Sequence, residues 1–204
     1  MTVAAITITY NRLVLTMQTI DSFYKKTTVD RHVFVDNGST DGTQKYLKTN
    51  FDHILLEKNY GITEAFIMAA TQLKEYDFIL KLDNDIETVT EGIIENMLRF
   101  YELNGLNYVC SPADLNLDKH YKPKSYGVTW LNGYKVNFTT HTGGAFQMIP
   151  QEICQKLCED FNHFKQGDQA IGRFYFNNGY RPCYLMDLQI RHIGLNQTSA
   201  NYVL

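Results

Sequence analysis

Five short apolar runs recur through the first 110 residues, and stretches with helical spacing separate them. Residues 3–9 are rich in β-branched side chains and read as a buried strand. Leu13, Met17, Ile20, Phe23 and Tyr24 then repeat at the period of an amphipathic helix. Residues 32–35 form a second short strand. A turn-rich loop at 36–42 follows, with Thr40 or Asp41 placed to cap a helix carrying Tyr46 and Leu47. Residues 54–56, 78–82 and 108–110 read as further strands, with helices over 61–73 and 88–103 between them. Such alternation calls for right-handed crossovers between parallel strands. The expected class is α/β, a mixed and mostly parallel sheet with helices on both faces.

The second half is less regular. Residues 112–135 hold Pro, Gly, Asn and Lys with few apolar runs, and read as a long functional or mobile loop. Residues 138–149 read as extended chain around Gly143-Gly144. Pro150 suits the first position of a helix running through Leu157. A further helix spans 168–176, with Asn177-Asn178-Gly179 as its stop, and short strands at 184–185 and 188–190 close the fold. Without a linker or repeat, 204 residues make one domain.

Several classes are disfavoured by composition. A net charge of -3 gives no global basic field for nonspecific nucleic-acid binding. No run of 18 apolar residues offers a membrane span, and the first residues lack the basic start of a secretion signal. Cys110, Cys154, Cys158 and Cys183 match no zinc spacing and read as reduced structural thiols, which fits a cytoplasmic chain.

Chemistry gathers where strands end. The run at 78–82 is followed at once by Asp83-Asn84-Asp85, two carboxylates two residues apart. Asp and Asn also favour turns, so the tripeptide alone supports either reading. Three more strand ends carry Thr9-Tyr10-Asn11-Arg12, Asp36-Asn37-Gly38-Ser39-Thr40-Asp41 and Asn59-Tyr60-Gly61. In a twisted α/β sheet these loops share one edge, where ligands bind. They offer what a nucleotide needs: an aromatic face, acceptors for base and ribose, and hard oxygen donors for a cation on the phosphates.

The ordered set resembles the family-2 glycosyltransferases of the GT-A fold. It comprises Thr7 to Arg12, Val35 to Thr43, Asn59-Tyr60-Gly61, Leu82 to Asp85, Thr142 to Phe146, Gly167-Asp168 and Arg191 to Gly194. The resemblance covers residues 3–194 and implies a single GT-A (Rossmann-like) domain. Its nucleotide-binding half would be 1–111 and its acceptor and catalytic half 112–204. It implies metal-dependent, inverting transfer of a sugar from a nucleotide sugar, a UDP-sugar, to a hydroxyl. The acceptor would be a glycan or another hydroxyl-bearing molecule, a modified nucleobase in DNA among them.

Roles follow from the resemblance residue by residue. Asp36 would accept from the imide of the base, with Tyr10 packed near it and Arg12 near the nucleotide. Thr9, Asn59, Gly61 and Asn84 would complete the nucleotide-binding loops. Asp83 would meet ribose or the phosphate-bound cation. Asp85 and His192 would hold that cation, Mn²⁺ or Mg²⁺. Asp168 would be the general base, and Gly143 and Gly144 would let backbone approach sugar or acceptor. The other histidines, His32, His53, His120, His141 and His163, read as structural. One departure stands out: the family's Glu-Asp pair is Gly167-Asp168 here. Two other readings exist. A nucleotide-sugar sensor would keep the pocket without the chemistry. A sugar nucleotidyltransferase would need a Gly-rich basic loop after the first strand, which Thr9 to Arg12 is not.

Overall fold

Val3, Ala4, Ala5 and Ile6 are all buried, so the first strand is covered on both faces and sits inside the sheet. In the computed structural model, which describes residues 1–116, 123–160 and 168–194 (the side chains of 168–170 excepted), this strand is β1, Val3–Thr9. His120, His163 and Gly167 lie outside the described residues. The order continues α1 (Leu13–Lys26), β2 (Arg31–Asp36), α2 (Thr43–Asn50), β3 (Asp52–Leu55), α3 (Ile62–Ala70), β4 (Phe78–Leu82) and β5 (Ile86–Thr88). Then follow α4 (Ile93–Asn104), β6 (Tyr108–Asp114), β7 (Ser125–Leu131), β8 (Tyr134–Thr139), β9 (Phe146–Pro150), α5 (Gln151–Glu159), α6 (Asp168–Asn177) and β10 (Arg181–His192).

One sheet runs β3-β2-β1-β4-β9-β6-β10-β8-β7, with β5 paired to β10. The strands β3, β2, β1 and β4 are parallel neighbours, as are β6 and β10. β9 is antiparallel between β4 and β6, and the β7–β8 hairpin adds antiparallel pairs at the far edge. Strand alternation divides the core. Phe78, Leu80 and Leu82 of β4 join Phe23 of α1 and Ile93, Met97 and Phe100 of α4 on one face. Ile79 joins Phe66 of α3, Leu157 of α5 and Tyr175 of α6 on the other. Among the described residues no helix is long and apolar enough to cross a membrane.

The structure departs from the expected elements in four places. Residues 88–103 are not one helix. Thr88 pairs with Ile190 as the end of β5, and α4 starts only after Gly92, whose φ of 60° breaks the path. Residues 112–135 are not one long loop, because β6 runs on to Asp114 and Ser125 opens a hairpin. Its turn is Asn132-Gly133 with φ of 47° and 89°, the left-handed pair that a tight hairpin demands. The extended chain expected over 138–149 divides, with Phe138 and Thr139 ending β8 and β9 starting at Phe146, and Pro150 ends β9 rather than taking the first position of α5. The two short closing strands are one, β10, with an irregular register between Leu185 and Gln189. All four cysteines are free, and Cys110 faces Cys183 across β6–β10 with sulfurs 3.6 Å apart.

His32 is a structural histidine. It is buried, with Nε2 2.9 Å from Thr7 Oγ1 and Nδ1 3.0 Å from the Tyr24 hydroxyl. Burial pushes its pKa down to about 3 from 6.5. The unfolded chain therefore takes up this proton first as pH falls. The contribution to stability is complete above about pH 6.5 and is lost progressively towards pH 3, with a slope of at most about 1.4 kcal/mol per pH unit. His32→Gln should flatten the acid side of a Tm-against-pH curve. An unchanged curve would assign acid sensitivity elsewhere.

Candidate active site

The Asp83-Asn84-Asp85 turn joins β4 to β5, and β5 pairs with the last strand so that Ile86 lies opposite His192. That ladder brings a residue from the end of the described chain beside the turn. Ile193 N–H donates to Asp85 O at 2.9 Å, and Asp83 N–H donates to Ala145 O at 2.7 Å, fixing the turn from both sides. Ligand atoms of Asp83, Asp85 and His192 all lie within 4.8 Å of one another. Donors about 2.1 Å from one cation stand about 3–4 Å apart, so small side-chain shifts close these three on an ion. The two carboxylates suit Mn²⁺ or Mg²⁺, and the imidazole favours the softer Mn²⁺ of the two.

Backbone shape serves the same cluster. A Cβ at Gly194 would lie 2.4 Å from Asp85 Oδ2 and 3.0 Å from its Cγ. Only glycine lets the chain pass that carboxylate. His192 Nδ1 bonds the Asp114 carboxylate, which also accepts the His192 backbone N–H at 3.2 Å. Burial is the largest single influence on the His192 pKa and lowers it, but the Asp114 hydrogen bond and the charges of Asp114, Asp85 and Asp83 together outweigh it, and the net shift is upward. Asp114 thereby fixes the ring and leaves Nε2 for a ligand, the usual way a carboxylate orients a metal-binding histidine. Cations also reach the cluster. Arg12 Nη1 is 2.7 Å from Asp85 Oδ2. Lys81 Nζ is 2.6 Å from Asp83 Oδ1 and also bonds the Gly144 carbonyl.

The second strand end is built as a cradle. Asp36 is buried, and its Oδ1 accepts from Gly38 N–H, Ser39 N–H and Gln44 Nε2 at 3.1, 2.7 and 2.9 Å. Its Oδ2 is buried with no hydrogen-bond partner among the described residues. Asn37 accepts from Tyr60 N–H at 2.9 Å and donates to Gly61 O at 3.2 Å, tying the third loop to the second. Asn59 turns back to accept from Gly61 N–H at 2.8 Å. Gly38 is pressed on that loop: a Cβ there would lie 2.7 Å from Lys58 Cα. Tyr10 is half-buried beside these loops.

Other expected site residues have different surroundings. Thr9 and Asn84 are buried, with Asn84 Nδ2 3.0 Å from Thr9 Oγ1 and 3.2 Å from Thr16 Oγ1. Their side chains brace α1 against the acidic turn. Gly143 N–H donates to the Tyr184 hydroxyl at 2.7 Å. Asp168 is the first residue of α6, and its side chain lies outside the described residues. One turn later, Gly172 lets α6 sit directly on the 141–144 loop, since a Cβ there would lie 2.0 Å from His141 Cβ. Asp114, Lys81 and Gly172 were not singled out by sequence. Lys81 alone had a signal, a charge inside the apolar run Phe78-Ile79-Leu80-Lys81-Leu82.

This sheet and this edge define a GT-A-type glycosyltransferase fold. A structure of GalNAc-T7 with UDP, GalNAc and Mn²⁺ superposes with TM-score 0.74 at 13% identity, covering 94% of this chain and 43% of that one. Staphylococcus aureus TarS 1–349 with UDP gives 0.72 at 18% identity, covering 94% and 60%. The mannosyltransferase PcManGT from Pyrobaculum calidifontis, with GDP-Man and Mn²⁺, gives 0.69 at 17% identity, covering 96% and 58%. The chain thus spans 43% to 60% of the length of these three. Sequence comparison with curated proteins found no match. Residues 4–179 match the sequence profile of glycosyl transferase family 2, and the chain belongs to that family.

Proposed function

We propose that this chain transfers a sugar from a nucleoside diphosphate sugar, a UDP-sugar, to an acceptor hydroxyl, with a divalent cation bound and with inversion. The observation that carries the reading is the convergence of Asp83, Asp85 and His192 at one sheet edge. A bound cation would neutralise the charge that develops on the leaving diphosphate. Asp85 and His192 Nε2 would hold it, Asp83 would meet it or the ribose, and Asp114 would keep the imidazole aimed. Arg12, which pairs with Asp85, would turn towards the diphosphate.

The buried, unpartnered Oδ2 of Asp36 is the natural acceptor for the imide N–H of a uracil ring, and Tyr10 would pack on that ring. UDP in the GalNAc-T7 and TarS structures supports that choice of base over the GDP-Man of PcManGT. Asp168 would accept the acceptor's proton while the bond from the anomeric carbon to the diphosphate oxygen breaks and the new glycosidic bond forms on the opposite face. That single displacement inverts configuration. A nucleobase in DNA as acceptor finds no support in these comparisons.

Calorimetric titration with UDP tests the pocket. Affinity should be higher in Mn²⁺ than in chelator, and Asp85→Ala should erase the difference. Equal affinity for the unaltered protein in both buffers would remove the cation from the account.

A further inference from the structure

A cavity of about 170 Å³ lies on the α3–α6 face of the sheet, next to the acidic turn. Phe66 and Ile67 of α3, Ile149 of β9, Leu157 of α5 and Ile171 of α6 give it apolar walls. Lys81 connects it to the site, because the same side chain lines the cavity and touches Asp83 and the Gly144 carbonyl. Ile171 and Tyr175, also in the wall, belong to α6, the helix that begins at Asp168.

The polar groups Lys81, Gln147 and Tyr175 of the wall already make hydrogen bonds. Lys81 is paired with Asp83 and Gly144. Gln147 donates to Thr142 Oγ1 at 2.6 Å and accepts from the Tyr175 hydroxyl at 3.1 Å. A bare sugar here would bury hydroxyls against carbon, at the cost of unmade hydrogen bonds. An apolar group loses nothing, and an apolar cavity of about 150 Å³ accepts a benzene ring.

Resting on the transferase reading above, we propose that the acceptor is a hydroxyl compound bearing an aryl or short branched alkyl group. The cavity between α3 and α6 receives that group while the hydroxyl meets Asp168. Chemically this is glycosylation of an apolar alcohol or phenol. The acceptor O–H bond breaks, its proton passes to Asp168, and the oxygen forms the glycosidic bond as the nucleoside diphosphate departs.

The test uses benzyl alcohol, with 2-naphthalenemethanol as the larger comparison, and reads thermal stabilisation and affinity with UDP and Mn²⁺ present. Benzyl alcohol should stabilise the protein saturably. Ile67→Trp, which fills the cavity from a half-exposed position, should weaken it at least tenfold. Leu157→Ala should enlarge the cavity and turn the preference towards 2-naphthalenemethanol. Absence of saturable stabilisation, or the same affinity and preference in all three proteins, overturns the inference. Displacement of benzyl alcohol by UDP-N-acetylglucosamine would give the cavity to the donor's acyl group and also overturn it. UDP binding on the same samples separates the two ideas: UDP bound without benzyl alcohol sinks the cavity alone, and loss of UDP binding sinks the transferase reading.

Discussion

Asp168→Asn should lower kcat by about 10²–10⁴-fold, the range that one positioned general base contributes, while UDP affinity in Mn²⁺ stays unchanged. Asparagine keeps the size and the helix-start preference of aspartate but cannot take a proton. The helix that presents this residue is set by contact rather than by chance. Gly172, one turn on, lets α6 lie against His141 at the edge of the Gly143-Gly144 loop, whose carbonyl Lys81 holds. Steady-state kinetics with a competent donor and acceptor, beside UDP titration, would check it. Loss of both rate and UDP binding would mean that the change disturbs the fold. Retention of full rate would move the base elsewhere.

Gly194→Ala should weaken Mn²⁺ binding by about 10–100-fold, the size of effect seen when the supports of metal ligands are disturbed. The new Cβ would fall 2.4 Å from Asp85 Oδ2, well inside van der Waals contact. Asp85 must then turn away or the strand end must lift, and Ile193 N–H loses its 2.9 Å bond to Asp85 O in the second case. Electron paramagnetic resonance of free Mn²⁺ during titration gives the affinity directly. UDP binding in chelator should be unaffected, because the Asp36 cradle is built from other loops. Unchanged Mn²⁺ affinity would show that Asp85 is not the principal ligand.

The parallel half of the sheet was readable because its strands are covered on both faces, so their apolar runs are nearly unbroken. Residues 3–9 and 78–82 were placed at the bounds observed. His192 was joined to Asp83 and Asp85 by resemblance alone, since nothing local to residue 192 says that β10 will pair with β5. The β7–β8 hairpin had an audible signal, Asn132-Gly133, masked by the polar residues before it. Thr9 and Asn84 were expected in the nucleotide loops because they stand in the right turns. Their burial against Thr16 depends on how α1 crosses the turn, which no local pattern encodes. Asp114 was invisible for a similar reason. It lay in a stretch read as loop, and its partner is 78 residues away.

The order of the strands across the sheet carries a consequence for how the chain is made. β9 slots between β4 and β6, and β10 slots between β6 and β8, so the sheet cannot grow by adding each new strand to its edge. Between the end of β6 at Asp114 and the start of β10 at Arg181 lie 66 residues. At about 5–20 residues per second, synthesis of that stretch takes about 3–13 s. β4 lacks its β9 neighbour until Pro150 is made, and β6 lacks β10 for the whole interval, so each in turn presents an open, apolar edge of the kind that recruits other strands. A chaperone that holds unfinished chains would find its target while these strands wait for their partners rather than at the first strands.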